Sequence, residues 1–172
     1  MKKSKKERLV KWLKNGEINK FNRYRKLTKY VKIDLSGVDL SAIILSKVNF
    51  IKVNLIEANL QGSILCGADL YNANLTKANL QGSNLSGAYL NNIQGKHIYK
   101  TSGNGSKGRE IWYILEDDYI KAGCWEGTLD EFEKRIEEIY GKNKDGYEYK
   151  SYMNVINYYK NCKSLGVKNG KK

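Results

Sequence analysis

Residues 33–92 read IDLSG VDLSA IILSK VNFIK VNLIE ANLQG SILCG ADLYN ANLTK ANLQG SNLSG AYLNN, twelve five-residue units without a break. The third position of each unit is large and apolar: Leu35, Leu40, Leu45, Phe50, Leu55, Leu60, Leu65, Leu70, Leu75, Leu80, Leu85 and Leu90. An α-helix repeats about every 3.6 residues and a flat strand about every two, so neither keeps such a stripe on one side. A chain that turns a corner every five residues does. The first position is apolar or small throughout, from Ile33 and Val38 to Ser83 and Ala88. The second is Asp or Asn except at Ile44, Ile64 and Tyr89. Asp and Asn suit corners, because their side chains bond nearby backbone groups in turns. The last two positions are mostly Ser, Gly, Gln, Lys and Thr. Each unit therefore has two inward positions and three outward ones.

Self-similarity at a fixed period marks a solenoid. The units Ala58-Asn59-Leu60-Gln61-Gly62 and Ala68-Asp69-Leu70-Tyr71-Asn72 resemble the pentapeptide-repeat family, whose consensus is A-(D/N)-L-x-x. The resemblance covers about residues 33–92. It implies a mainly β fold: a right-handed quadrilateral β-helix with four units per coil, hence about three coils. Coils of this kind stack about 4.8 Å apart. The third-position residues then form the structural core ladder. A non-enzymatic scaffold for macromolecular interaction is the function the resemblance implies. One branch of the family has acidic rods that resemble DNA and protect type II topoisomerases. The near-neutral repeat here weighs against that role.

With four units per coil, residues twenty apart lie above one another. Ile44 and Ile64 then share a wall, and Ile51 stacks under Tyr71 on the next. Ile44, Ile64, Ile51 and Tyr71 form a candidate protein-contact strip, since exposed apolar patches often mark contact surfaces. The competing reading has the C-terminal segment folding back over them. Partners are read as protein, either a second copy or another chain.

The net charge is +13. It divides into +11 for residues 1–32, −1 for 33–95 and +3 for 96–172. The boundaries follow: a basic, partly helical arm or cap at 1–32, the repeat at 33–94, and an α+β module at 95–172. Ser4 and Glu7 frame a capping box that opens a short helix over about residues 5–15. Phe21-Asn22-Arg23-Tyr24-Arg25-Lys26 interleaves aromatics with cations. Lys20, Arg23, Arg25 and Lys26 are candidate anion contacts, for nucleic acid or another anionic surface. The alternative has Trp12, Leu13 and Phe21 covering the first coil, with the lysines as a solvated face.

In the last third, Ser102–Gly108 reads as a glycine-rich linker or hairpin tip. Residues 109–115 and 119–124 alternate as two strands. Thr128 and Glu131 open a helix with Leu129, Phe132, Ile136 and Ile139 on one stripe. Tyr149, Tyr152, Met153, Ile156 and Tyr159 form a second stripe. The pattern predicts a small ββαα module. Cys66, Cys124 and Cys162 lack metal-ligand spacing, and His97 is the sole histidine. His97 with Cys124 is the one thiol–base combination, and Glu116-Asp117-Asp118 reads as a solvated turn. No catalytic, metal or cofactor site is expected, and no cofactor. There is no apolar run of membrane-spanning length and no secretory leader, so a cytoplasmic location is expected.

Overall fold

The computed structural model describes residues 4–28, 31–104 and 109–169. Most of the glycine-rich tip, residues 105–108, lies outside them. The chain divides into two compact units, Met1–Lys96 and His97–Lys172.

The repeats of the first unit form a β-helix-type fold. Parallel bridges join residues twenty apart: Asp34 to Asn54 to Asn74 to Gln94, and likewise Ile44 to Ile64 to Asn84. Each of the first eight units makes three backbone bonds to the unit twenty residues on. Leu55 N–H donates to Asn74 O at 2.8 Å and Glu57 N–H to Thr76 O at 2.9 Å, while Asn74 N–H returns to Val53 O at 3.0 Å. The corner is made by the fifth position of every unit, which has φ between 55° and 69° in all twelve. Ala42, Lys47, Lys52, Glu57 and Lys77 adopt this left-handed conformation despite carrying side chains, each at a cost of about 1–2 kcal/mol. Gly62 takes it freely.

Third-position residues from Leu35 to Leu85 are all at most 2% exposed. Leu90, in the last unit, is only half-buried. Ala58, Ala68, Ala73 and Ala78 line the interior beside them, at no more than 1% exposure. Their small size leaves room for the leucine ladder.

Helix α1 (Lys5–Lys14) begins at the predicted capping box, with Ser4 Oγ accepting from Glu7 N–H and Glu7 Oε2 from Ser4 N–H. The expectation of a single N-terminal helix is corrected. A second helix, α2 (Ile18–Leu27), runs through the stretch read as interleaved aromatics and cations. Gly16, at φ +70°, turns the chain between them. The stripe that seats α2 is Phe21 and Arg25, four residues apart and both buried. Phe21 meets Phe50 of the first coil edge-on, ring centroids 5.6 Å apart. Leu9 and Leu13 of α1 are buried beside them.

The second unit is a four-stranded antiparallel sheet in the order β1 (Ile98–Asn104), β2 (Arg109–Ile114), β3 (Tyr119–Ala122) and β4 (Trp125–Gly127). Helices α3 (Leu129–Tyr140) and α4 (Tyr147–Asn169) follow. The ββαα expectation is corrected to four strands and two helices. β1, an edge strand that the sequence pattern did not predict, pairs with β2 through Ile98–Ile114 and Tyr99–Tyr113. β4 has only three residues, too few to show a period of two. Ile111, Tyr113, Ile120, Phe132, Ile136, Ile156 and Tyr159 form the core. Tyr159 donates to Ile111 O at 3.1 Å, and burial pushes its phenol up to about 12. The predicted α3 stripe ends at Ile136, because Ile139 is 53% exposed.

Removing a ladder side chain opens a void at the axis. Leu60→Ala or Leu65→Ala is expected to cost about 2–5 kcal/mol in chemical denaturation. Exposed Gln61 or Gln81 changed to Ala is expected to cost less than about 0.5 kcal/mol. Equal losses at both kinds of position would contradict the inward–outward register.

Candidate interaction surface

The walls are ruled by the second position. In nine units its Asp or Asn accepts from the N–H two residues on: Asn54 Oδ1 from Ile56 N–H at 3.1 Å, Asn74 Oδ1 from Thr76 N–H at 3.0 Å, Asn84 Oδ1 from Ser86 N–H at 3.0 Å. Stacked side chains also bond one another, as Asn54 Nδ2 does to Asp34 Oδ1 at 2.9 Å and Asn59 Nδ2 to Asp39 Oδ1 at 3.1 Å. Asp34 is held below the usual carboxylate range by the backbone bond from Ser36. The Ser41 hydroxyl and N–H do the same for Asp39.

Ile44, Ile64 and Tyr89 hold this position without being able to make that bond. Ile44 is 63% exposed, Ile64 38% and Tyr89 63%. Ile44 bridges directly to Ile64, and Tyr89 to Asp69 on the adjacent wall. Tyr71 is 41% exposed. Ile51 is half-buried. The proposed strip thus keeps Ile44, Ile64 and Tyr71 at the surface, and Ile51 contributes less. Tyr89, exposed on the wall that carries Tyr71, was left out of the candidate strip. Its break in the Asp/Asn column was the available signal, together with its place beside Tyr71 on one wall.

The cations of the arm divide. Arg25 is corrected as an anion contact. It is 5% exposed, and its guanidinium donates to Ile51 O and, at 3.4 Å, to Val31 O. Lys6 Nζ donates to Ser36 O at 2.6 Å. Asn22 spans the same edge, giving Nδ2–H to Lys47 O and accepting from Asn49 N–H, both at 2.8 Å. Ser36 O, Ile51 O and the Asn49 N–H belong to the classes of group that pair with a neighbouring coil higher in the repeat, and here they have none beneath them. Lys20 is exposed and pairs with Glu17. Arg23 and Lys26 are exposed.

His97 and Cys124 are not brought together. His97 adjoins the Ile98–Ile114–Tyr119 end of the sheet, and its ring nitrogen meets Glu116. Burial would raise the Glu116 carboxyl, but bonds from the His97 N–H and ring outweigh it, and the net shift is downward. Cys124 sits in the β3–β4 turn at the opposite end. Among the described residues no three His, Cys, Asp or Glu side chains are grouped to hold a metal.

Residues 33–70 and 54–92 match the family profile described as Pentapeptide repeats. Residues 33–92 are pentapeptide repeats. No curated protein matches the chain. Among solved structures it is similar to HetL, a pentapeptide repeat protein involved in heterocyst differentiation regulation from the cyanobacterium Nostoc sp. strain PCC 7120. The identity there is 34%, over 36% of this chain and 35% of that one, with TM-score 0.30. It is also similar to Rfr23, a pentapeptide repeat protein from the cyanobacterium Cyanothece 51142. Here the identity is 32%, over 36% of this chain and 56% of that one, with TM-score 0.27. The chain therefore spans well under two thirds of either protein. No described helix is long and apolar enough to cross a membrane.

The pentapeptide-repeat corners give a pH dependence with a definite sign. Asp34 and Asp39 have native values below their unfolded ones, which lie near about 3.9. Their ionised bonds contribute fully above that value, and the contribution is lost as pH falls through the lower native values. The melting temperature is expected to drop below about pH 4. Asp34→Asn with Asp39→Asn, which keeps an accepting oxygen, is expected to flatten that drop. An unchanged acid limb in thermal melts would refute the assignment.

Proposed function

We propose that the protein is a non-enzymatic pentapeptide-repeat scaffold whose apolar strip docks on another protein surface. The scaffold in this reading is a right-handed quadrilateral β-helix of three coils. The reading rests on one observation: Ile44 and Ile64 give up a corner bond that nine other units make, while remaining exposed. A net hydrogen bond contributes about 0.5–1.5 kcal/mol, and a partly exposed isoleucine pair on a wall returns only about 0.2–1 kcal/mol to the fold. These residues are costly to the monomer and useful only when covered.

Ile44→Asn with Ile64→Asn separates the two roles. The double variant is expected to melt at or above the wild-type temperature, because the corner bonds are restored. Its self-association in sedimentation velocity, or its recovery of partner proteins from a lysate, is expected to fall. A lower melting temperature with unchanged mass and unchanged partner recovery would end the reading.

A second reading, anionic-surface or nucleic-acid binding by the arm, is favoured by the exposure of Arg23 and Lys26. Phosphate contacts release counterions, so such binding weakens steeply with salt. Duplex DNA is expected to shift in a gel at low salt, and Arg23→Glu with Lys26→Glu to abolish the shift. Arg25→Met is expected to lower stability by about 1–3 kcal/mol through the orphaned Ile51 carbonyl. Salt-independent binding, or none, would remove this second reading.

A further inference from the structure

The sheet–helix unit holds a feature separate from the repeat walls. A cleft of about 290 Å³ lies among β2, the β3–β4 hairpin, α3 and α4. Its walls are aromatic. Trp125 packs on Phe132 with centroids 5.2 Å apart, and Tyr140 stacks on Tyr152 at 5.6 Å. Ile139 and Cys124 stand exposed on its lining. Ile139 is the turn of the α3 apolar stripe that the core leaves uncovered.

One lining residue is charged, Arg135. It is exposed and has no hydrogen bond or ion pair among the described residues. Three of the α3 carboxylates are engaged elsewhere, Glu131 by Thr128, Glu133 by Lys160, and Glu137 by Tyr149 and Lys144, and exposed Glu138, three residues on, forms no ion pair with it. No carboxylate lines the cleft. A guanidinium beside apolar walls pairs strongly with a carboxylate, through two parallel hydrogen bonds. The volume is at the small end of ligand cavities, which run about 300–1,000 Å³. Paired aromatic walls favour a flat occupant.

We propose that this cleft binds a small, flat, apolar carboxylate, with its ring system on the aromatic lining and its carboxylate on Arg135. The test titrates the full chain with 1-naphthoate and with 1-naphthalenemethanol, following tryptophan fluorescence. Trp125→Phe assigns the signal to the cleft. Naphthoate is expected to bind saturably and at least tenfold more tightly than the alcohol. Arg135→Gln is expected to reduce naphthoate affinity to that of the alcohol and leave the alcohol unchanged. In the wild type, saturating naphthoate is expected to slow maleimide labelling of Cys124 severalfold. That labelling and the acid-to-alcohol ratio decide the matter should Arg135→Gln not fold. Equal affinity for acid and alcohol, no protection of Cys124, or no saturable binding up to millimolar naphthoate would each overturn the proposal.

Discussion

Coil-to-coil hydrogen bonding in this molecule is directional, and the ends of the repeat follow from that. Each of the first eight units gives two N–H groups to the unit twenty residues on and takes one back, as Leu55, Glu57 and Asn74 show. The first coil therefore faces downward with two carbonyls and one N–H per unit, an acceptor-rich edge. Unpaired backbone groups at such an edge are a liability for stability and for unwanted strand pairing. Two cations and an amide meet it: Lys6 on Ser36 O, Arg25 on Ile51 O, and Asn22 Oδ1 on the Asn49 N–H. Two of the arm's thirteen cations, Lys6 and Arg25, thus have a structural role before any ligand is invoked.

This asymmetry also explains how Arg25 can be buried without a counter-ion. Its charge is spread over carbonyl dipoles that point at it. Burial still pulls its pKa down, and Nε is left without a partner. Sequence alone placed Arg25 with Arg23 and Lys26, as three cations in a row of basic residues. Only its spacing of four from Phe21 on an α-helix separates it from them. That spacing carries meaning once α2 is known to be a helix, and the stretch has no cap signal to announce one: Glu17 at its N-terminus makes no side-chain capping bond.

The repeat was legible because its information is redundant. Twelve leucine-type positions, twelve apolar or small ones and nine Asp or Asn residues all report one register, so no single exception could disguise it. The left-handed fifth position was not legible in the same way. Five of its occupants carry ordinary side chains, Ala42, Lys47, Lys52, Glu57 and Lys77, and only the surrounding ladder forces them into that conformation. The sheet–helix unit is the opposite case. Its helices announced themselves by capping boxes and stripes, but β1 and β4 are edge strands, one rich in polar residues and the other only three residues long. Edge strands owe their conformation to a partner rather than to their own pattern.

The same redundancy makes departures from the pattern informative. In a packed core a deviant residue is usually compensated by its neighbours. On a repeat wall there is little to compensate with, since the backbone is held by the ladder and the side chain stands in solvent. Ile44 and Ile64 bridge each other directly, and Tyr89 stands with Tyr71 on the next wall. All three breaks in the corner column thus fall on two adjoining walls, and the column through Asp39, Asn59 and Asn79 has none. A folding requirement would bear on every wall alike, because every wall has the same ladder. A docking surface of the kind proposed would bear on one side only, and the three breaks are confined to one side.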